Sequence, residues 1–213
     1  MDAPLLAHAP DALASLRRPT ADDPLRVLIS GCLAGRPCGV DATDYGMGHA
    51  LGDLVALPTV RVVSFCPEDH GMGTPRTMPD LHGGDGHAVL SGHARVLDEH
   101  GTDLTDAMLA GATAMVDLAR AHRIELCILT DMSAACGSQV ISDGCRLVIE
   151  RRFQRGVGVA AAMLLRAGFP VVSQRDFRTL GHLRTLLDPS FSPDPGAHDH
   201  HETDWFTTYF SRR

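Results

Sequence analysis

Four short apolar runs punctuate the chain: Arg26–Ser30 (RVLIS), Arg61–Phe65 (RVVSF), Glu125–Thr130 (ELCILT) and Phe169–Ser173 (FPVVS). Each is continuous rather than alternating, rich in branched residues and bounded by polar or glycine-rich sequence, the pattern of strands buried on both faces. Between them run two helical patterns. Asp103–Ile124 repeats apolar residues at three and four, with Thr105 as its expected N-cap. Gly156–Gly168 ends on Gly168 and then Pro170. Strands alternating with helices predict an α/β chain, a Rossmann-like three-layer fold with a mostly parallel sheet.

The rest of the chain is less regular. Residues 1–25 read as an N-terminal arm with a small amphipathic patch at Leu5, Leu6, Leu13 and Leu16. The stretch 67–101 is too broken by glycine and proline for a long helix or a central strand, and predicts loop with a small hairpin over HAVLSGHARVLDEHG. From Leu180 the pattern predicts a short helix and then an extended, partly disordered end. The expected division is an arm over 1–25, a domain over 26–180 and a C-terminal helix and tail over 181–213.

Composition narrows the function. A net charge of -7 and a pI near 5.9 disfavour a large nucleic-acid footprint, which needs a basic face, so a small neutral or weakly charged ligand fits better. No apolar run approaches the roughly 20 residues that span a bilayer, and the first 25 residues lack the build of a secretory signal, which predicts a cytoplasmic protein. The six cysteines are too few for a disulfide scaffold at this length, and in a reducing compartment they point to metal binding or catalysis.

Three of those cysteines sit where a strand ends. Cys32 follows the first run by one intervening residue, Cys66 directly follows the second, and Cys136 lies six residues past the third. The carboxyl ends of parallel strands open on one edge, so three thiols distant in sequence are expected to converge. Cys127, inside its run, reads as core. Three or four thiolates with few histidine partners suit zinc or an iron-sulfur cluster. Structural zinc sites use close cysteine pairs, whereas here the nearest pair, Cys32 and Cys38, is six apart. His70, His82, His87 and His93 scatter without ligand spacing, and Asp199–Glu202 (DHHE) reads as solvated tail.

Taken in order, GCLAGRPCGVD, FCPED, GTPR, ARVLDEHGTDLTDAMLAGA, MSAACGS and GVGVAAAMLLRAGFPVVS resemble the bacterial thiouracil desulfidase family from about Val27 to Ser173. The resemblance implies a Rossmann-like fold, a 4Fe-4S cluster held by three cysteines, and removal of sulfur from thiouracil with no net redox change. By position it implies Cys32, Cys66 and Cys136 as cluster ligands, with Cys38 in reserve, Glu68 and Ser133 as the acid-base pair, and Asp41 and Arg76 as substrate-binding residues. Gly39, Val40, Ala134 and Ala135 depart from the family's pattern, as does the added DLHGGDGH loop, which bears on the exact substrate more than on the cluster.

The implied reaction is hydrolytic: an open iron polarises the thiocarbonyl, and a thiolated pyrimidine, as base, nucleoside or nucleotide, gives uracil and hydrogen sulfide. Two other readings stay open. One is a non-catalytic cluster or zinc protein that binds a nucleobase or senses redox state. The other is a cysteine nucleophile, Cys136 or Cys32, that passes sulfur as a persulfide.

Overall fold

A computed structural model describes residues 13–14 and 16–211. Its centre is a four-stranded parallel sheet built from β1 (Leu25–Ser30), β2 (Val60–Phe65), β5 (Leu126–Leu129) and β8 (Val171–Ser173), in the spatial order β2-β1-β5-β8. All four expected runs are the strands. Successive residues point to opposite faces, and both faces are covered. Leu28, Cys127, Leu129 and Val171 pack on one side, whereas Val27, Ile29, Leu126, Ile128 and Val172 pack on the other. That two-sided burial is why the runs are continuous, and it makes the molecule three-layered.

The elements between these strands are α1 (Pro67–Met72), β3 (Asp80–His82), α2 (Gly86–Leu90), β4 (Arg95–Leu97) and α3 (Thr105–Ala121). After β5 come the hairpin β6 (Val140–Ser142) and β7 (Phe153–Arg155), then α4 (Val159–Arg166), α5 (Phe177–Leu187) and α6 (Asp204–Ser211). On the first face α3 buries Met108, Ala112, Met115 and Ala119, a stripe at helical spacing. Each methionine there contributes about 1.5–3 kcal/mol of burial. On the second face α5 buries Leu180, Leu183 and Leu187. Leu13 and Leu16 pack against this second cluster, and Arg17 pairs with Glu125 at 2.6 Å; Leu5 and Leu6 lie outside the described residues. Among the described residues no helix is long and apolar enough to cross a membrane.

One crossing positions the site. Gly71 of α1 and Gly111 of α3 let the two backbones touch: a Cβ at Gly111 would run into the Pro67 carbonyl, and one at Gly71 into the Ala107 carbonyl. Helix α1 is thereby held against α3, with Cys66 and Glu68 at its start.

Three expectations change. HAVLS is not a hairpin strand: Asp85 Oδ1 accepts from the Ala88 amide at 3.1 Å, Val89 is buried, and the segment forms α2. β4 instead pairs antiparallel with β3, Leu81 opposite Val96. Thr105 does not cap α3. Leu104 is the N-cap, the Thr105 amide donates to Asp103 Oδ1 at 2.9 Å, and the Thr105 hydroxyl accepts from the Val96 amide at 3.0 Å, tying the helix to β4.

The C-terminal end is not extended either. Aromatic residues four apart on α6 fold it: Trp205 stacks on Tyr209 with centroids 5.3 Å apart, Phe206 lies 4.7 Å from Phe210, and Arg155 sits 5.0 Å over the Phe206 ring. Asp199 and His200, read as solvated, are buried.

Candidate active site

The carboxyl edge of the sheet gathers the expected cysteines around one cavity of about 300 Å³. β1 ends at Ser30 and runs into a tight turn, Gly31–Ala34, that carries Cys32. β2 ends at Phe65, and Cys66 caps α1, its Sγ accepting from the Asp69 amide at 3.4 Å. β5 ends at Leu129, and the loop beyond it carries Ser133 and Cys136. Cys38 joins them in the wall, so four thiols line the cavity. Gly31 makes the approach possible: a Cβ there would sit 3.0 Å from Cys38 Sγ and 3.1 Å from Cys66 Cβ. Cys127 is fully buried within β5, as expected of a core residue.

The thiols are not alike. Cys66 is held below the ordinary thiol range, chiefly by a hydrogen bond from Cys38 that outweighs its burial. The same bond, then burial, pushes Cys38 up. Burial raises Cys32 against the opposing contact with Thr130, whose Oγ1 lies 3.0 Å from Cys32 Sγ. Burial lifts Cys136 well above the usual range, although a bond to Ser30 works the other way. Cys66 contributes to the electrostatics of the other three.

Beside the thiols stands a polar chain. Glu68 Oε2 pairs with Arg76 Nη2 at 2.7 Å, and its Oε1 accepts from the Ser133 hydroxyl at 3.0 Å. Arg76 is 5% exposed and Glu68 13%, so water screens this pair little. Arg76 Nη1 also donates to the Cys38 carbonyl at 3.0 Å and the Gly73 carbonyl at 3.1 Å, while its Nε is buried without a protein partner. Ser133 closes a turn as well, its oxygen accepting from the amides of Ala135 (3.2 Å) and Cys136 (3.0 Å). With both lone pairs so used, its single proton goes to Glu68.

Asp41 is the exception among the expected site residues. It is exposed and outside the cavity wall, and its Oδ1 accepts from the Thr43 amide at 3.0 Å and hydroxyl at 2.8 Å. The turn it forms explains its placement: its carboxylate faces its own loop.

Sequence reasoning missed several wall residues. Arg146 pairs with the buried Asp80 and donates to the Met132 and Pro79 carbonyls at 2.9 Å each, stitching the 78–80 segment to the Cys136 loop. Tyr45 accepts from the Val40 amide at 2.7 Å and leans over Gly39, where any Cβ would strike its ring. Met47, Met78 and Met132 complete an apolar wall. Arg146 is announced by no local pattern, because the contacts that place it reach 14 to 68 residues along the chain, whereas Tyr45 is held by its own short loop.

Among the described residues no three His, Cys, Asp or Glu side chains converge on a point where one metal ion would bind them all. A cubane makes no such demand, since each of its thiolates binds a different iron.

Comparison with known proteins places the chain in a family. The uncharacterized protein YbbK of Bacillus subtilis (strain 168) is 31% identical over 157 residues, 72% of this chain and 99% of YbbK. The solved structure of TudS, a 4Fe-4S-dependent thiouracil desulfidase, superposes with a TM-score of 0.59 at 29% identity, covering 76% of this chain and 99% of that one. The profile of 2-thiouracil desulfurase matches residues 27–176, which takes in the parallel sheet apart from the first two residues of β1 and every thiol of the cavity, and the chain belongs to that family.

Proposed function

We propose that the protein is an iron-sulfur-dependent desulfidase that hydrolyses a thiolated pyrimidine, as base, nucleoside or nucleotide, to the oxo pyrimidine and hydrogen sulfide. The observation that carries this reading is the carboxylate of Glu68 in the same cavity as four thiols, held on one oxygen by Arg76 and on the other by Ser133. The donor set fits a 4Fe-4S cluster: soft thiols on three separate strand ends, a glycine cradle at Gly31, and one thiol already held low beside an amide donor. Cys32, Cys66 and Cys136 would hold it. When bound with one iron free of protein ligands, such a cluster supplies a soft Lewis acid that polarises a thiocarbonyl.

The chain's own residues supply the rest. Glu68 takes the proton of the attacking water at a carboxylate oxygen. Arg76, charged at any physiological pH, fixes that carboxylate and keeps it from turning away. Ser133 offers its proton to Glu68 at rest and, from the same cavity wall, would pass one to the departing sulfur. The methionine wall and Tyr45 flank a flat heterocycle and limit water. One water in and one hydrogen sulfide out balances the reaction, and no electron moves.

The persulfide route needs Cys32 or Cys136 as the nucleophile, and burial holds both thiols above their ordinary range, away from the thiolate. The deciding experiment is anaerobic reconstitution followed by incubation with thiouracil and no electron donor. The expected result is uracil and sulfide in equal amounts. A cluster-loaded protein that binds thiolated pyrimidines but turns none over would replace this reading with a binding or sensing role.

A further inference from the structure

A buried acid and imidazole behind the Cys136 loop take no part in the chemistry above. His200 Nδ1 lies 2.6 Å from Asp131 Oδ2, with side-chain exposures of 3% and 0%. The other oxygen, Asp131 Oδ1, accepts from the amides of Ser138 (2.9 Å), Gln139 (3.1 Å) and Val140 (3.2 Å). One carboxylate thus closes the loop that runs from 131 to 140 and contains Ser133 and Cys136. The Asp131 amide is fixed as well, donating to Gln174 Oε1 at 2.7 Å. Burial alone would raise this carboxyl, yet the bond and charge of His200 and the loop amides outweigh it and hold it below the ordinary range.

His200 is fastened to the same loop through its backbone. Asp176 Oδ1 accepts from both the His200 amide (3.1 Å) and Gln139 Nε2 (2.7 Å). The neighbouring Asp199 accepts from the Thr179 amide at 2.9 Å and hydroxyl at 2.8 Å, which binds the segment to α5. The imidazole is stacked on Trp205, centroids 5.7 Å apart and planes 12° from parallel. His200, Thr179 and Trp205 all lie past residue 176, where the match to the family ends.

We infer that residues 177–211 form a strap and that His200 is a positioning residue, holding Asp131 and through it the 138–140 amides, so that Ser133 and Cys136 keep their places in the cavity wall. Calling that loop part of a desulfidase site rests on the function proposed above, whereas the positioning does not. The geometry favours orientation over bulk stability: an apolar plug of equal volume would fill the same space, but only a donor aimed at Oδ2 fixes which way Oδ1 points. Removing the donor leaves a buried carboxylate short of its partner, and the loop it closes must loosen first.

Hydrogen–deuterium exchange on the full-length protein reads this directly. His200→Ala is expected to speed exchange in the 131–141 segment roughly tenfold to a hundredfold, while α3 and β1 keep their rates. His200→Asn, which offers an amide donor near the place of Nδ1, should restore most of the protection. In the same samples iodoacetamide should label Cys136 faster in the alanine variant, with Cys127 still protected. Unchanged exchange in 131–141, an equal rise across loop, α3 and β1, or no recovery with asparagine overturns the inference. Should His200→Ala fail to fold, Trp205→Ala, which withdraws the stacked indole, is expected to give the same local pattern at smaller size, and a uniform or absent change there overturns it equally. Neither cluster nor thiouracil enters the measurement, so an inert enzyme with a loosened loop would sink the proposed function and leave this inference standing.

Discussion

The cavity has two walls, and they are built differently. The wall of β1 and β2 carries Cys32, Cys38 and Cys66 on short turns; Cys32 and Cys66 are half-buried and Cys38 is buried, the three influence one another, and Cys66 alone is held low. The wall after β5 carries Cys136 on a loop closed by Asp131 and backed by the C-terminal segment, with the thiol wholly buried and held high. Charge is prepared on the first wall and position on the second. A site that holds a 4Fe-4S cluster gains from both, since a thiolate ready to bind is also a thiolate ready to oxidise.

The harshest test removes ligands from each wall. Cys66→Ala and Cys136→Ala should each abolish iron binding, as should Cys32→Ala, whereas Cys38→Ala should retain the cluster. Iron and sulfide analysis after anaerobic reconstitution checks this, with Cys127→Ala as the core control that keeps its iron and loses on the order of 1 kcal/mol of stability. If Cys38→Ala empties the site while Cys32→Ala does not, the first wall binds through Cys38 and Cys66 rather than through Cys32.

Next in size is Glu68→Gln. It keeps the shape, retains an oxygen to accept from Ser133 or Arg76, and loses the base. Turnover should fall about a hundred- to ten-thousand-fold with iron content unchanged. Full activity would remove Glu68 from the mechanism and leave the two walls with no base between them.

How far the two walls could be read in the sequence differs too. Cys32 and Cys66 stand directly at strand ends, and a continuous apolar run announces a strand buried on both faces, so the sheet and this wall were legible. Cys136 was legible as a strand-end thiol, but what holds its loop was not. Asp131 looks like any turn aspartate, and its partner His200 lies 69 residues on in a stretch that local polarity marks as solvated. Trp205, Phe206, Tyr209 and Phe210 fold that stretch, and the benefit of burying them emerges only once the β6–β7 hairpin lies beneath them. HAVLS misled for a simpler reason: a short apolar run fits strand and helix equally, and the cap at Asp85 decided it.

Thiol labelling grades the contrast. In cluster-free protein Cys66 should alkylate before Cys32 and Cys136, and its rate should rise at lower pH than theirs, because its thiolate forms first; each unit of pKa separation is about a tenfold difference in thiolate at a given pH. Peptide mapping after timed iodoacetamide pulses between neutral and mildly alkaline pH checks the order. Cys136 labelling first would mean that burial does not govern the second wall.

Acid tests the second wall from another side. The folded-state pKa of Asp131 lies below its unfolded value, so its contribution is fully present above the ordinary carboxyl pKa of about 3.9 and is lost as pH falls through the lower folded value. The stability gap between wild type and His200→Ala should therefore hold at pH 6 and narrow below about pH 4. Thermal melts across that range check it, and a gap that widens toward acid would reverse the sign of the pair.

The smallest effect belongs to Asp41, on the rim of the first wall. A direct substrate ligand would suffer alike from Asp41→Ala and Asp41→Asn, since both remove the charge. The structure suggests a different dependence. Asp41 Oδ1 orders Thr43, the Thr43 hydroxyl accepts from the Tyr45 amide at 3.1 Å, and Tyr45 in turn reaches into the cavity wall. Asparagine keeps an oxygen in that place and should be silent. Alanine should loosen the turn and raise KM a few-fold through Tyr45, leaving kcat and iron content unchanged, because the two oxygens of Glu68 are held from outside this loop, by Arg76 and by Ser133. Steady-state kinetics on the two variants separate the cases: equal losses in both would make Asp41 a ligand after all, and a fall in kcat would mean that the rim steers the chemistry as well as the fit.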